Sequence, residues 1–179
     1  LQTVNNSSLH YLQMYLESCE QAGKSQGTVD LYRFHLSRFL SYVNKDVTNI
    51  SDDDIYTYLY NYRHRRTVSN SYLNHLRLIL NGFFKWLIKK RIRSSNPVDT
   101  IDSVKCQKKV KKPLSAKEVE LIRSSCESER DLAIIECLYS TAVRASELLQ
   151  LNRADISFSK DDIIVLGKGN KERITYLNA

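Results

Sequence analysis

The 179 residues carry 27 Lys/Arg against 20 Asp/Glu, a net charge of +7, with 42% hydrophobic and 26% charged side chains. That is enough apolar material for one domain or two small ones, and five Gly, two Pro and no low-complexity tract exclude a disordered or collagenous chain. No run approaches about 18 apolar residues, and Leu1 to Ser8 form neither a basic nor an apolar leader, so secretion and membrane insertion are not expected.

From Ser7 or Ser8 to Ala22, the residues Leu9, Leu12, Leu16 and Cys19 recur at helical spacing, and Gly23 marks a stop. Lys24 to Gly27 read as a turn. Thr28 is placed to cap a second helix whose apolar face runs through Tyr32, Leu36, Phe39 and Val43. Ser51 ahead of Asp52, Asp53 and Asp54 marks a third start, because side-chain acceptors satisfy open amides at the positive end of a helix dipole. Ile55, Tyr58, Leu59 and Tyr62 form its inner side.

A fourth helix, Ser69 to about Arg91, has a core stripe of Leu73, Leu76, Leu80, Phe83 and Leu87, widened by Ile79 and Trp86. On another face Asn70, Asn74, Arg77, Asn81 and Lys85 succeed one another at steps of four, three, four and four, which aligns them along one ridge. Asn and Arg are side chains that read base edges and bind phosphates, so the ridge is a candidate DNA-contacting face; a solvated polar face is the plain alternative.

Ser94-Ser-Asn-Pro97 ends that helix, since proline restricts the preceding residue and has no N–H to donate. Val98 to Lys112, with Lys105, Lys108, Lys109, Lys111 and Lys112 and little apolar periodicity, reads as an extended basic linker. Residues 1–84 hold eight Lys/Arg against seven Asp/Glu, residues 85–112 ten against two, and residues 113–179 nine against eleven. Nearly all the excess charge lies in the middle segment, which points to a polyanion bound there.

Ser115 with Glu118 three residues on makes a capping box that opens a helix through Val119, Leu121 and Ile122. Residues 129–140 carry a further helix, apolar enough to expect burial on most sides, and another runs from about Val143 to Leu151. The period then changes. Asp162 to Leu166 and Arg173 to Leu177 are short β-prone runs around Gly167-Lys-Gly-Asn-Lys171, a hairpin with Lys168 near its tip. Cys19, Cys106, Cys126 and Cys137 have no metal-ligand spacing and read as reduced structural thiols in a cytoplasmic protein. On residue type alone, Arg144 is a helix-surface arginine pairing with Glu147, and Lys168 and Lys171 are solvated hairpin lysines.

Four stretches in order resemble the phage-integrase family of tyrosine recombinases: Thr28-Val29-x-x-Tyr32-Arg33-x-x-Leu36 with the closing Asn96-Pro97, Pro113-Leu-Ser-x-x-Glu118-Val119, Thr141-Ala-Val-Arg144-Ala-Ser-Glu147-Leu-Leu-x-Leu151 with Asp155-Ile156, and Leu166-Gly-Lys168-Gly-Asn-Lys171-Glu-Arg173. The resemblance implies a mainly α protein: a four-helix SAM-like core-binding domain at 1–97, the basic linker at 98–112, and a partial α+β catalytic domain, helices plus a β-hairpin, at 113–179. One departure is Ala142-Val143, where the family usually has Gly-Leu. A glycine there would ease a tight backbone.

The resemblance also implies a reaction: site-specific recombination or integration of double-stranded DNA, in which a tyrosine hydroxyl attacks a phosphodiester to give a 3′-phosphotyrosyl link and a free 5′-hydroxyl, with no metal and no cofactor. Arg144 would hold the nonbridging oxygens and Lys168 would protonate the leaving oxygen, with Lys171 as the alternative lysine. Glu147 would orient the catalytic groups, and Arg173 would contact phosphate. The family's His-x-x-Arg pair, later His or Trp and nucleophilic tyrosine come after the hairpin; His10, His35, His64 and His75 all precede it, and Tyr176 lies on it. The expectation is a truncated recombinase that binds duplex DNA without cleaving it, monomeric itself although the longer family members act as tetramers on synapsed DNA. It would work in the cytoplasm beside the nucleoid. A non-enzymatic DNA-binding protein or regulator derived from a recombinase is the competing class.

Overall fold

The computed structural model describes residues 6–65, 67–106, 110–157, 159–167 and 171–177. They fall into two compact units, 1–109 and 110–179.

The first unit is helical: α1 (Asn6–Gln21), α2 (Gln26–Val43), α3 (Asp52–Arg65) and α4 (Asn70–Lys89). Leu12, Leu16 and Cys19 of α1, Val29, Leu36, Phe39 and Leu40 of α2, Ile55, Tyr58 and Tyr62 of α3 and the whole expected stripe of α4 close one core. Phe84 joins it, fully buried, with its ring edge-on to Phe39 at 6.3 Å. Gly23 ends α1 at φ 74 with Gly23 N–H to Glu20 O and Lys24 N–H to Cys19 O, so glycine occupies the left-handed position that closes a helix. Arg91 closes α4 in the same way at φ 60, donating to Ile88 O while Ile92 N–H reaches Leu87 O.

Two expectations are corrected by the fold. Ser25, not Thr28, is the N-cap of α2; Thr28 lies in the first turn and its hydroxyl meets that of Ser25 at 2.9 Å. The chain after Pro97 does not leave as a free linker. Val98 is fully buried and Ile101 packs on the same core, and the polar ridge of α4 holds the backbone of residues 101–105. Asn74 is bonded on both sides of its amide to one residue, donating to Val104 O (2.7 Å) and accepting from Val104 N–H (2.8 Å). Asn70 donates to Lys105 O, Arg77 Nη1 to Ile101 O, and Asn96 Nδ2 to Asn81 Oδ1. Backbone groups without a strand partner need such acceptors and donors, and asparagine reproduces the peptide's own pair.

The second unit has α5 (Ala116–Ser124), α6 (Glu129–Thr141), the short α7 (Ala145–Leu148), a 3₁₀ turn (Arg153–Asp155) and three antiparallel strands in the order β1 (Ile156–Ser157), β2 (Asp162–Gly167), β3 (Lys171–Tyr176). The capping box at Ser115 and Glu118 is present. Val143, Ile163 and Val165 form its interior, with Cys137, Leu138, Leu148, Leu151, Ile156 and Leu177 against them. α6 departs from expectation. Leu132 and Tyr139 are exposed and the helix is at most half-buried before Thr141, because only one side of it meets β3 among the described residues. An apolar run gives a helix the capacity for burial; neighbours decide how much is used. α7 is also shorter than expected, with Leu149 exposed beyond it.

Candidate functional site

The residues that meet in the second unit are Arg144, Glu147 and Arg173. α6 stops because Ala142 turns left-handed (φ 50, ψ 30) while its N–H still donates to Leu138 O at 3.1 Å. This is the backbone that the missing glycine would ease. Two residues on, Arg144 is extended (φ −74, ψ 151) and is the N-cap of α7, which places Glu147 in the first turn, one turn above it. An acceptor in that position reaches back to the cap's free amide. Arg144 N–H accordingly donates to Glu147 Oε2 at 2.8 Å.

The strand register brings the third member. Arg173 on β3 pairs with Val165 on β2, and Thr175 with Ile163. Directly opposed residues share a face of the sheet, and Val165 and Ile163 point into the interior, so Arg173 and Thr175 do as well. Thr175 Oγ1 donates to Thr141 O at 2.9 Å. Arg173 donates Nη1 to Glu147 Oε1 (3.0 Å) and Nη2 to Oε2 (2.8 Å), a two-pronged fork, while Arg144 Nη1 donates to Oε1 at 2.6 Å.

Glu147 therefore accepts two hydrogen bonds on each oxygen. Its side chain is 6% exposed, against 39% for Arg173 and 66% for Arg144. Hydrogen bonding to Arg173, then to the Arg144 amide and guanidinium, overcomes the cost of burial and pulls the Glu147 carboxyl down to about 2. The same carboxylate raises Arg173. The trio carries a net charge of +1, and Arg144 is the more exposed of its two guanidinium groups. A neighbouring depression of about 310 Å³ is lined by Glu147, Asp155 and Glu172 with Val165 and Leu166, and three carboxylates make it a poor place for an anion.

Lys168 lies outside the described residues, as do Lys108 and Lys109. Gly167, immediately before Lys168 in sequence, pairs with Lys171, and a Cβ there would stand 3.2 Å from Lys171 O and 3.3 Å from Arg173 Nη1, so a side chain would press the guanidinium aside by a few tenths of an ångström. Lys171 is exposed at the start of β3, and Lys85, Lys105, Lys111 and Lys112 are exposed elsewhere.

The expected open ridge of α4 is corrected: Asn70, Asn74, Arg77 and Asn81 are half-buried and hydrogen-bonded to residues 96–105, which leaves Lys85 as its exposed member. His35-Leu-Ser-Arg38 does spell His-x-x-Arg, but on α2: His35 is in the core of the first unit, 5.8 Å from the Tyr72 ring, with its pKa lowered by burial, and Arg38 lies over the Tyr62 ring. Tyr176 is exposed on β3. No cluster of three or more His, Cys, Asp or Glu fit to hold a metal occurs among the described residues, and no described helix is long and apolar enough to cross a membrane. Sequence reasoning missed the fork between Arg173 and Glu147. The alternation along β3 was its one signal, and apolar residues on both faces of the hairpin obscured it.

Both units have counterparts among known proteins. Residues 11–94 match the family profile described as phage integrase, N-terminal SAM-like domain, and residues 112–179 match the phage integrase family. The chain is 32% identical to tyrosine recombinase XerD of Halalkalibacterium halodurans over 97% of its own length and 60% of the relative's. It is 29% identical to tyrosine recombinase XerC of Herpetosiphon aurantiacus over 86% of its length and 53% of the relative's. It thus spans between about half and three fifths of the curated relatives it matches.

The fold is that of a lambda integrase dimer bound to a COC' core site (TM-score 0.74, 20% identity, 93% of this chain and 47% of that one). The Tn1549 transposon integrase in complex with circular intermediate DNA is also similar (TM-score 0.63, 19% identity, 94% and 60%). With both units matched, in the same order as in these relatives, the chain belongs to the phage integrase family of tyrosine recombinases.

Proposed function

We propose that this chain is the DNA-gripping and phosphodiester-binding part of a site-specific tyrosine recombinase. The observation that carries the reading is the exposed guanidinium of Arg144, fixed at its base by Glu147 through a backbone N–H and one guanidinium nitrogen. A planar fork with donors to spare is suited to the nonbridging oxygens of a phosphodiester, on which charge builds as the fifth bond forms. Lys168, which follows Gly167 in sequence, is the acid for the leaving 5′ oxygen, and Glu147 is the residue that orients Arg144. Tyr176, exposed on β3, is not given the role of nucleophile in this reading, in which the 179 residues bind duplex DNA without cleaving it. The similar lambda and Tn1549 integrases, solved on a COC' core site and with circular intermediate DNA, support DNA as the partner.

DNA grip falls to the exposed cations between Lys85 and Lys112, with Asn70, Asn74, Arg77 and Asn81 shaping the surface from below. The chain by itself is a monomer in the cytoplasm; tetrameric assembly on two synapsed duplexes belongs to the longer protein. If about six cations replace counterions on phosphate, affinity for duplex DNA falls roughly 10³-fold between 50 and 200 mM salt. A titration with flat salt dependence rejects the reading, and a covalent complex on a nicked suicide substrate rejects the non-cleaving part of it.

A further inference from the structure

Two arginines converge on Glu147, and they meet it differently. Arg144 reaches it with a backbone N–H and one guanidinium nitrogen, and the rest of its fork faces solvent. Arg173 gives both of its terminal nitrogens to both carboxylate oxygens and packs over Gly167 on the adjoining strand. A guanidinium forked edge to edge onto a carboxylate in this way has its charge paired and two of its five N–H groups committed, and so has less to offer a second anion. The fork also ties β3 to α7, while Thr175 ties β3 to the end of α6, so the paired strands β2 and β3 are anchored to the helix start that carries Arg144.

The distribution of charge separates two roles for Arg173. With it in place, Glu147 is saturated and Arg144 retains its charge. Without it, Glu147 has two vacant lone-pair directions, and Arg144, already bonded to Oε1 through one Nη1 contact, would be drawn further onto the carboxylate, so that fewer of its donors face solvent.

We propose that Arg173 is a positioning residue that saturates Glu147, so that Arg144 is fixed yet left free to bind a phosphodiester, and that Arg173 is not itself a phosphate ligand. The inference rests on the proposed role of Arg144 as the phosphodiester ligand. It reassigns Arg173 from the DNA contact expected of a hairpin arginine to a strut inside the protein.

The test uses the full 179-residue chain and NMR. The Arg144 amide proton reports the titration of Glu147, because that N–H donates to Oε2, and inorganic phosphate is the probe for Arg144. Arg173→Gln is expected to move the midpoint seen at the Arg144 amide from about 2 toward the ordinary glutamate value of 4.5. Arg173→Lys restores it only in part, since an ammonium does not reproduce the two-pronged geometry. Phosphate binding weakens in Arg173→Gln, yet Glu147→Gln/Arg173→Gln stays within about 2-fold of Glu147→Gln alone, as expected of residues acting through one another.

An unmoved midpoint overturns the proposal. So does an equal fold-loss of phosphate binding from Arg173→Gln in both backgrounds, which marks Arg173 as a direct ligand. If phosphate does not perturb Arg144 in the unsubstituted chain, the phosphodiester reading fails, while the amide titration still decides whether Arg173 sets Glu147. Should Arg173→Gln unfold the hairpin, seen as lost protection of the Val165 amide, Arg173→Lys carries the same comparisons with the charge kept.

Discussion

Replacing Ala142 by Gly is expected to stabilise the second unit by about 0.5 to 1 kcal/mol. Ala142 sits at φ 50 and ψ 30, where Cβ crowds the following carbonyl at a cost of about 1 to 2 kcal/mol for an L-residue. Glycine removes that cost and returns about 0.5 to 1 kcal/mol through its greater freedom when unfolded. Little else changes: Ala142 is exposed, and its N–H bond to Leu138 O stays available. Gly23→Ala supplies the mirror experiment in the first unit, since φ is 74 and an added Cβ would meet nothing within 4 Å, so the loss measures conformation alone. Hydrogen exchange at the buried Ile163 and Val165 amides reads the second unit by itself, and Ala142→Gly should slow it roughly 2- to 5-fold. Unchanged or faster exchange, in a chain where Gly23→Ala destabilises the first unit, would refute the reasoning.

Three other contacts give outcomes of their own. Glu147 is depressed to about 2 in the folded chain from 4.5, so its contribution to stability is complete above about pH 5 and is lost as pH falls toward 2; Glu147→Gln should flatten the stability–pH profile of the second unit in that window, and parallel profiles would contradict the assignment. Asn74→Ala removes the partner of Val104 N–H and leaves its C=O only the weaker Cys106 Sγ donor at 3.5 Å; it should cost about 1 to 2 kcal/mol of stability, read by denaturation and by exchange at the Val104 amide. A loss of DNA affinity with stability intact would instead return Asn74 to the DNA surface. Phe84→Ala empties a fully buried site against Phe39 and should cost about 3 to 5 kcal/mol in chemical denaturation, whereas a loss under about 1 kcal/mol would mean that the core collapses around the gap.

The helices of the first unit were legible because each has a stripe of the right period and most have a polar start. The whole stripe from Leu73 to Leu87 is buried as its spacing requires. Phe84 was not legible: it lies beside Phe83 in sequence, and only the crossing of α2 over α4 decides that both rings go inward. The ridge from Asn70 to Lys85 was read correctly as one line and wrongly as open, since a side chain's partner 30 residues away has no local signature. Likewise the Arg144 and Glu147 pairing comes from their spacing at a helix start, while Arg173 depends on hairpin register. Gly167 gave the turn away but not its second use, leaving room for Arg173 Nη1.

The two interiors are unequal. The first unit closes over a set of aromatic and aliphatic side chains from four helices, while the second has Val143, Ile163 and Val165 at its centre and leaves Leu149, Ile164, Leu166, Ile174 and Tyr176 in water. Local opening is easiest where little apolar surface is buried, so breathing motions concentrate in the half that bears the arginine pair. A ligand that binds only the closed form would raise its stability by about 2.7 kcal/mol at a hundredfold excess over Kd. That is large beside so small an interior, and it makes protection from protease a sensitive gauge of occupancy: the first unit should resist cleavage with or without ligand, and the second should gain resistance when Arg144 is engaged.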